Sequence, residues 1–114
     1  MSKVKGRTRE DDFKRDMALL SFMRSHRGIE NIVGSKEISE YLTSIGYPHK
    51  QTSVGALLSR IMYEYNSPII FESGVGYFWA KSADEIRATI DNLQSRIDSL
   101  NMHINFLKDF IFEE

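Results

Sequence analysis

The sequence contains no cysteine among its 114 residues, which excludes a disulfide framework and any metal site built on thiolates. No stretch of it approaches the ~20 consecutive apolar residues that a membrane-spanning helix requires. The first seven residues are mostly polar and basic, so the start of the chain does not resemble an apolar secretory signal. These absences predict a cytoplasmic protein that does not enter a membrane.

The signatures of common catalytic sites are missing as well. The three histidines, His26, His49 and His103, are far apart in the sequence and fall on different predicted elements. No carboxylate–histidine helix motif, glycine-rich phosphate loop or nucleophile elbow occurs, and Gly74-Val75-Gly76 fits a hairpin turn better than a nucleotide cradle. We therefore expect a protein that is not an enzyme and that uses no cofactor and no metal.

The net charge of −1 conceals an asymmetry between the two halves of the chain. Residues 1–60 hold 11 Lys or Arg against 7 Asp or Glu, whereas residues 61–114 hold 4 against 9. Four of the basic residues fall within the first nine positions, namely Lys3, Lys5, Arg7 and Arg9. We interpret residues 1–10 as a flexible basic arm, which either neutralises phosphates or is merely solvated.

A run of apolar residues spaced alternately four and three apart occupies the C-terminal part of the chain. The a positions of its heptads are Ile90, Ile97, Ile104 and Ile111, and the d positions are Ile86, Leu93, Leu100 and Leu107. Isoleucine at a with leucine at d favours two-stranded parallel coiled coils, and a stripe this narrow needs another helix to cover it. The pattern predicts a dimerisation helix over residues 82–114 and therefore a homodimer.

The residues that flank this stripe leave the geometry of the pair open. The parallel g-to-e′ pairs contain no opposite charges; they are Thr89–Gln94, Arg96–Asn101 and His103–Lys108. No polar residue at an a position fixes the register either. An antiparallel pair, a higher oligomer and packing of the helix on its own domain remain alternatives.

Three phenylalanines near the C-terminus lie outside the a and d positions; they are Phe106, Phe110 and Phe112. They widen the apolar face of the last helical turns. They are expected either to pack on the partner's domain or to form a docking patch for another protein.

Helical periodicity also predicts two helices in the first half of the chain. The first begins at Asp11 and ends at Gly28, with an apolar stripe formed by Phe13, Met17, Leu19, Leu20, Phe22 and Met23. The segment from Ile29 to Val33 is too short for a helix and is interpreted as a brief extended piece. The second helix has Ser35 as its N-cap and Gly46 at its end, with a stripe formed by Ile38, Tyr41, Leu42 and Ile45.

A third helix, a hairpin and a capping box follow. The third helix starts near Thr52 or Ser53 and stops before Pro68, and its buried positions are Val54, Leu57, Leu58, Ile61, Met62 and Tyr65. Two aromatic and β-branched runs, residues 69–73 and 77–81, are joined by a glycine-rich connection that predicts a β-hairpin. Ser82 and Glu85 have the spacing of a capping box that starts the last helix.

This order of elements over residues 11–81, with a glycine-containing turn at Ile45-Gly46-Tyr47-Pro48, resembles the winged helix-turn-helix superfamily. The hairpin at Gly74-Val75-Gly76 corresponds to the wing. The stretch from Gly76 to Ile86, running into a heptad helix, is similar to small winged-helix proteins of bacteriophages and other mobile elements. The resemblance implies a mainly α fold with a small β-hairpin (α+β), a long C-terminal coiled-coil helix, and action in the cytoplasm of a bacterial host.

The resemblance further implies that the third helix lies in the major groove of DNA. Steps of 100° place a small, polar face opposite the buried positions of this helix. The DNA-contacting residues expected from this face, from the turn before it and from the start of the second helix are Lys36, His49, Lys50, Gln51, Thr52, Ser53, Ala56, Ser59, Arg60 and Tyr63. Gln51 suits an adenine edge, and Lys50 and Arg60 suit guanine or phosphate.

The sequence therefore predicts a dimeric protein that binds double-stranded DNA and regulates transcription or replication of a phage or other mobile element. Only Lys50 and Arg60 bring positive charge to the third helix and the turn before it. The wing tip carries Glu72 but no lysine or arginine. A winged-helix adaptor that inhibits another protein without touching DNA is the main alternative. A centromere-type DNA binder for plasmid partitioning is a third possibility.

Overall fold

The structure is a computed structural model that describes residues 9–111. It is mainly helical with one small antiparallel sheet, which confirms the predicted α+β class. Its elements are α1 (Arg9–Arg24), a 3-10 turn (Ile29–Asn31), α2 (Ser35–Ser44), a second 3-10 turn (Gln51–Ser53), α3 (Val54–Glu64), β1 (Ile69–Glu72), β2 (Gly76–Trp79) and α4 (Ala83–Lys108). The chain divides into two compact units between Lys81 and Ser82. Over the described range, the structure has no helix with the length and apolar character needed to cross a bilayer.

The core of the first unit lies where α1, α2, α3 and β1 meet. Its fully covered side chains include Leu19, Met23, Ile38, Leu42, Val54 and Ile61. α1 begins at Arg9 rather than Asp11 and ends at Arg24, four residues before Gly28. Residues 1–8 of the expected basic arm lie outside the described residues. Phe13, expected in the core, is 53% exposed instead.

The ends of α2 are defined by glycines on both sides. Gly34 is the N-cap, and its N–H donates to Glu37 Oε1 at 3.1 Å, so Ser35 is the first helical residue and its assignment as the cap was wrong. At the other end Gly46 has φ 94°, and the N–H of Tyr47 donates to the carbonyl of Leu42 at 2.8 Å. This left-handed residue confirms the predicted helix end, because glycine adopts that conformation without a Cβ clash.

α3 is entered through a 3-10 turn and buries one face. Val54, Leu57, Leu58 and Ile61 are buried, as the periodicity predicted, and Ser53 stands at the N-cap position. The helix ends at Glu64, and Asn66 then takes a left-handed φ of 53°. Pro68 follows, so the predicted stop before this proline is confirmed.

The hairpin also confirms the prediction and recruits a third segment. β1 and β2 are antiparallel, with Ile70 opposite Phe78 and Phe71 opposite Tyr77. The N–H and carbonyl of Val33 pair with the carbonyl and N–H of Tyr77 at 2.9 and 2.8 Å. The segment from Ile29 to Val33 is therefore a 3-10 turn followed by one antiparallel bridge, rather than a continuous extended piece.

α4 is a helix of 26 residues that starts where the capping motif predicted. Ser82 Oγ accepts a hydrogen bond from the Glu85 N–H at 3.2 Å. The helix ends at Lys108, so the expected continuation of the helix to residue 114 was wrong for residues 109–111, and Ile111 lies beyond the helix. Phe112 lies outside the described residues.

Candidate nucleic-acid interface

The turn between α2 and α3 is fixed by hydrogen bonds from both sides. Ser39 Oγ on α2 donates to the carbonyl of His49, and His49 Nε2 lies 3.4 Å from the carbonyl of Ser53. Both His49 and Ser53 are half-buried. His49 and Ser53 therefore contribute to holding α3 against α2, and their expected contact with DNA stays a prediction.

Beyond this turn, the sequence-predicted surface of α3 is formed by small and polar side chains. We call it the α3 surface, and its exposed members are Gln51, Thr52, Ala56, Ser59 and Tyr63. Tyr63 is 79% exposed. The small side chains at positions 52, 56 and 59 leave room for this helix to approach a flat or grooved partner closely.

Two lysines flank the α3 surface. Lys50 directly precedes the 3-10 turn, and Lys36 lies in the first turn of α2. Both are exposed, and neither forms an ion pair with another residue in the 9–111 range. Their charges are therefore available to an anionic partner.

The start of α2 also lies close to the tip of the hairpin. A Cβ atom built on Gly34 would lie 3.8 Å from the carbonyl oxygen of Val75. Val75 is 58% exposed, and the connection of residues 73–75 carries no basic side chain. The hairpin tip can therefore offer main-chain donors and an apolar contact, but no cationic side chain.

Arg60, expected to contact DNA, is paired with two carboxylates of its own chain. Its Nη2 atom lies 3.1 and 3.0 Å from the two carboxylate oxygens of Asp16, and its Nη1 atom pairs with Glu64. The Asp16 side chain is 3% exposed and that of Arg60 is 44% exposed. Because Asp16 has left water, Arg60 helps to compensate its charge and so has a structural role. Its expected contact with DNA stays a prediction.

Two further side chains complete this arrangement, which we call the Asp16 cluster (Arg15, Asp16, Arg60 and Tyr65). Arg15 donates from Nε and Nη2 to Asp16 Oδ1 at 3.2 and 3.1 Å, and Tyr65 Oη donates to Asp16 Oδ2 at 3.2 Å. Burial, together with the negative charge of Asp16, raises the pKa of Tyr65 above its ordinary value. The cluster joins α1 to α3.

The electrostatic state of Arg60 reflects these contacts. Burial on its own lowers the pKa of an arginine, but the hydrogen bonds and charges of Asp16 and Glu64 outweigh it and raise the pKa of Arg60. The net shift therefore favours the charged guanidinium. The sequence alone does not predict this cluster, because adjacent arginine and aspartate residues in a helix are usually exposed on the surface.

Two concave surfaces border α3. A groove of about 860 Å³ runs between α1 and α3 beside the Asp16 cluster, with Phe13 and Ala56 in its lining. A smaller cleft of about 260 Å³ lies between α3 and the hairpin, where Gly55 faces Tyr77. Within the described residues, no group of histidine and carboxylate side chains could hold a metal ion.

The heptad positions of α4 form an uncovered apolar stripe. We call it the heptad seam; its members on the helix are Ile86, Ile90, Leu93, Ile97, Leu100, Ile104 and Leu107. Their side chains are between 39% and 61% exposed. Phe106 and Phe110 contact each other at a ring distance of 5.1 Å, outside the seam.

Comparisons of the chain with protein-family models, with curated proteins and with solved structures found no match. Functional interpretation therefore depends on the geometry of the α3 surface, of the two flanking lysines and of the heptad seam.

Proposed function

We propose that residues 9–81 form a winged helix-turn-helix domain that binds double-stranded DNA, with the start of α3 in the major groove. The observation that carries this proposal is the exposed α3 surface. It follows a turn that is held to α2 by the hydrogen bond between Ser39 and His49. An α-helix fits the major groove, and side chains near its N-terminus reach the base edges. The bridge between Val33 and β2 supports the fold, because it joins the segment before α2 to the hairpin.

Different side chains of this surface suit different parts of a DNA duplex. Gln51 matches the paired donor and acceptor of an adenine edge, and the methyl groups of Thr52 and Ala56 suit thymine methyls. Lys36 and Lys50 suit phosphates on either side of the groove, because they are exposed and unpaired among the described residues. Arg60 has no part in this proposal.

The proposed DNA-binding unit is a homodimer joined through α4. The heptad seam keeps one apolar stripe over the length of a 26-residue helix, and its side chains are exposed in the single chain. An isolated helix gains little stability in water without a packed face, so a second helix on this seam is favoured. Two copies also double the number of lysines that face phosphate.

A regulator of transcription or replication on a phage or other mobile element, acting in a bacterial cytoplasm, fits a small dimeric DNA binder. A centromere-type DNA binder for plasmid partitioning is a second role that fits the same α3 surface. Selection of bound fragments from the source genome would separate these roles, since a partition protein coats repeated sites.

Electrophoretic retardation of a random duplex at low salt tests DNA binding. We expect retardation whose affinity falls steeply with salt. We expect Lys50→Ala and Lys36→Ala each to reduce the salt slope by about two units, because each substitution removes one phosphate contact from each copy of the dimer. Lys14→Ala is the control, because Lys14 is also exposed but pairs with Glu10 on α1. Absence of retardation at low salt, or equal losses in all three variants, would contradict the proposal.

A protein-binding adaptor is the second candidate, and one observation favours it. Residues 9–81 carry nine Lys or Arg and nine Asp or Glu, so the positive excess of the first unit comes only from Lys3, Lys5 and Arg7 before the described residues. A failure to bind duplex at low salt, with the dimer intact, is the outcome that this candidate predicts.

A further inference from the structure

We infer that α4 pairs with α4 of a second copy in the parallel orientation, so that both first units are joined to the same end of the coiled coil. The inference rests on the homodimer proposed above and adds its direction. It determines whether the dimer spans one duplex or carries its two DNA-binding units at opposite ends.

The seam itself identifies a second copy as its occupant. Seven apolar residues recur at strict three- and four-residue spacing from Ile86 to Leu107, without a polar interruption. A spacing of 3.5 residues keeps the stripe facing a partner only when that partner is a helix with the same repeat. Another copy of α4 has this repeat over the same length.

Core shape favours the parallel pair. In a parallel dimer each layer contains identical residues, so that Ile90, Ile97 and Ile104 form a layers and Leu93 and Leu100 form d layers. β-Branched side chains at a and leucine at d are the combination that fits parallel two-stranded geometry. In an antiparallel pair every layer mixes an a residue with a d residue, and this match is lost.

Flanking charges disfavour the antiparallel pair. The antiparallel alignment that fills all layers places Ile97 opposite Leu100 and Ile90 opposite Leu107. It then brings Arg87 next to Lys108 of the other helix. Twofold symmetry makes this like-charge contact occur twice, at a cost in each case.

The same antiparallel alignment also places Arg96 near His103 of the other helix. In the parallel alignment, Arg96 instead faces Asn101, and Thr89 faces Gln94. Only His103 faces a basic side chain, that of Lys108. The parallel pair therefore avoids the permanent repulsion between Arg87 and Lys108.

The direction of pairing has a geometric consequence for the proposed function. α4 begins directly after Lys81, and its 26 residues extend about 39 Å at the helical rise of 1.5 Å per residue. In a parallel pair both first units emerge from one end of the coiled coil and can occupy neighbouring half-sites. In an antiparallel pair they emerge from opposite ends.

Single cysteines test the direction, because the natural chain has none. Ala83 takes the a position before Ile90, so Ala83→Cys leaves the seam complete. Ala88→Cys is the matched control, because position 88 is an f position on the outer side. After equilibration of the full chain in a glutathione redox buffer, we expect at least about tenfold more covalent dimer from Ala83→Cys, because a disulfide needs Cα atoms within ~7 Å.

The complementary experiment mixes Ile90→Cys chains with Leu107→Cys chains. A mixed disulfide between them, with Ala83→Cys remaining uncrosslinked, would show the antiparallel pair and overturn the inference. Sedimentation of the unsubstituted protein as single chains would overturn it as well. Retardation of duplex DNA by the same preparations is scored separately, so loss of DNA binding with Ala83→Cys crosslinking intact would reject the proposed function and leave the parallel pair standing.

Discussion

At the scale of single residues, the first unit has a buried carboxylate, Asp16, with polar side chains grouped around it. Its carboxylate is almost fully removed from water and accepts hydrogen bonds from Arg15, Arg60 and Tyr65. A buried charge is tolerated only when partners replace its hydration, so these side chains are constrained together. Arg15 comes from α1 itself, whereas Arg60 comes from α3, 44 residues away.

Arg60→Ala should therefore lower stability rather than act on DNA alone. Loss of one partner of a fully buried ion pair costs roughly 3–5 kcal/mol. Here we expect about 1–3 kcal/mol, because the Arg60 side chain is 44% exposed and Arg15 still pairs with Asp16. Urea unfolding followed by tryptophan fluorescence measures the change, with Lys50→Ala as the surface control; equal stability of the two variants would contradict the structural role of Arg60.

Tyr65 predicts a specific dependence on alkaline pH. Its folded pKa is raised, by burial first and by the charge of Asp16 second, so its stabilising effect is complete below the ordinary tyrosine pKa of about 10 and is lost as pH rises through the folded pKa. The unfolding free energy of the natural protein should decline between roughly pH 8 and pH 11.5, a range that includes the ordinary tyrosine pKa. Tyr65→Phe should flatten the decline, and an unchanged slope would reject the assignment.

At the scale of elements, the sequence predicted helices and strands best where a local signal marks their ends. Gly46, Pro68 and Ser82 each define an end through backbone chemistry that needs no tertiary contact. The end of α4 was missed because the heptad spacing continues to Ile111 after the helix has stopped at Lys108. Periodicity describes which face is apolar, not where a helix frays.

The candidate site was predictable in part for a similar reason. Helical geometry places Thr52, Ala56, Ser59 and Tyr63 on one exposed face, and the structure has them exposed. The same geometry put Arg60 there too, but it could not show that a buried carboxylate on α1 holds its guanidinium. Pairing between residues far apart in sequence has no periodic signal, so the role of Arg60 required the fold.

Gly76 provides a prediction about how the hairpin joins the rest of the unit. A Cβ atom at this position would lie 2.3 Å from the carbonyl oxygen of Val33, so Gly76→Ala should displace the bridge between Val33 and Tyr77. We expect a loss of about 2–3 kcal/mol. Gly74→Ala is the control, since a Cβ atom built on Gly74 would have no neighbour within 4 Å. Only the φ of +78° then costs about 1 kcal/mol. Thermal melts that rank the two variants in the opposite order would contradict this contact.

At the scale of the whole molecule, the two units depend on concentration in different ways. The first unit has its own buried core, whereas α4 has no buried residue within a single chain. A helix of this kind gains most of its stability from association. The protein should therefore show one melting transition that is independent of concentration and one that rises with it.

Ile97→Ser should remove the second transition's concentration dependence, because it places a hydroxyl in the middle of the seam. It should also weaken binding to a two-site duplex by at least about tenfold, since linked binding raises apparent affinity by 10²–10⁴. Met102→Ser is the control: Met102 is on the same helix, 72% exposed and outside the seam. If Ile97→Ser and Met102→Ser sediment and bind alike, α4 does not join the dimer.

The aromatic residues give these experiments a natural optical separation. Trp79 and all five tyrosines precede Lys81, and α4 contains neither residue type. The Arg24 guanidinium lies 5.3 Å from the centre of the Trp79 ring, so indole emission responds to the packing of α1 on β2. Fluorescence thus follows the first unit alone, while far-ultraviolet dichroism also registers the unwinding of α4, and a comparison of the two curves dissects the molecule without a label.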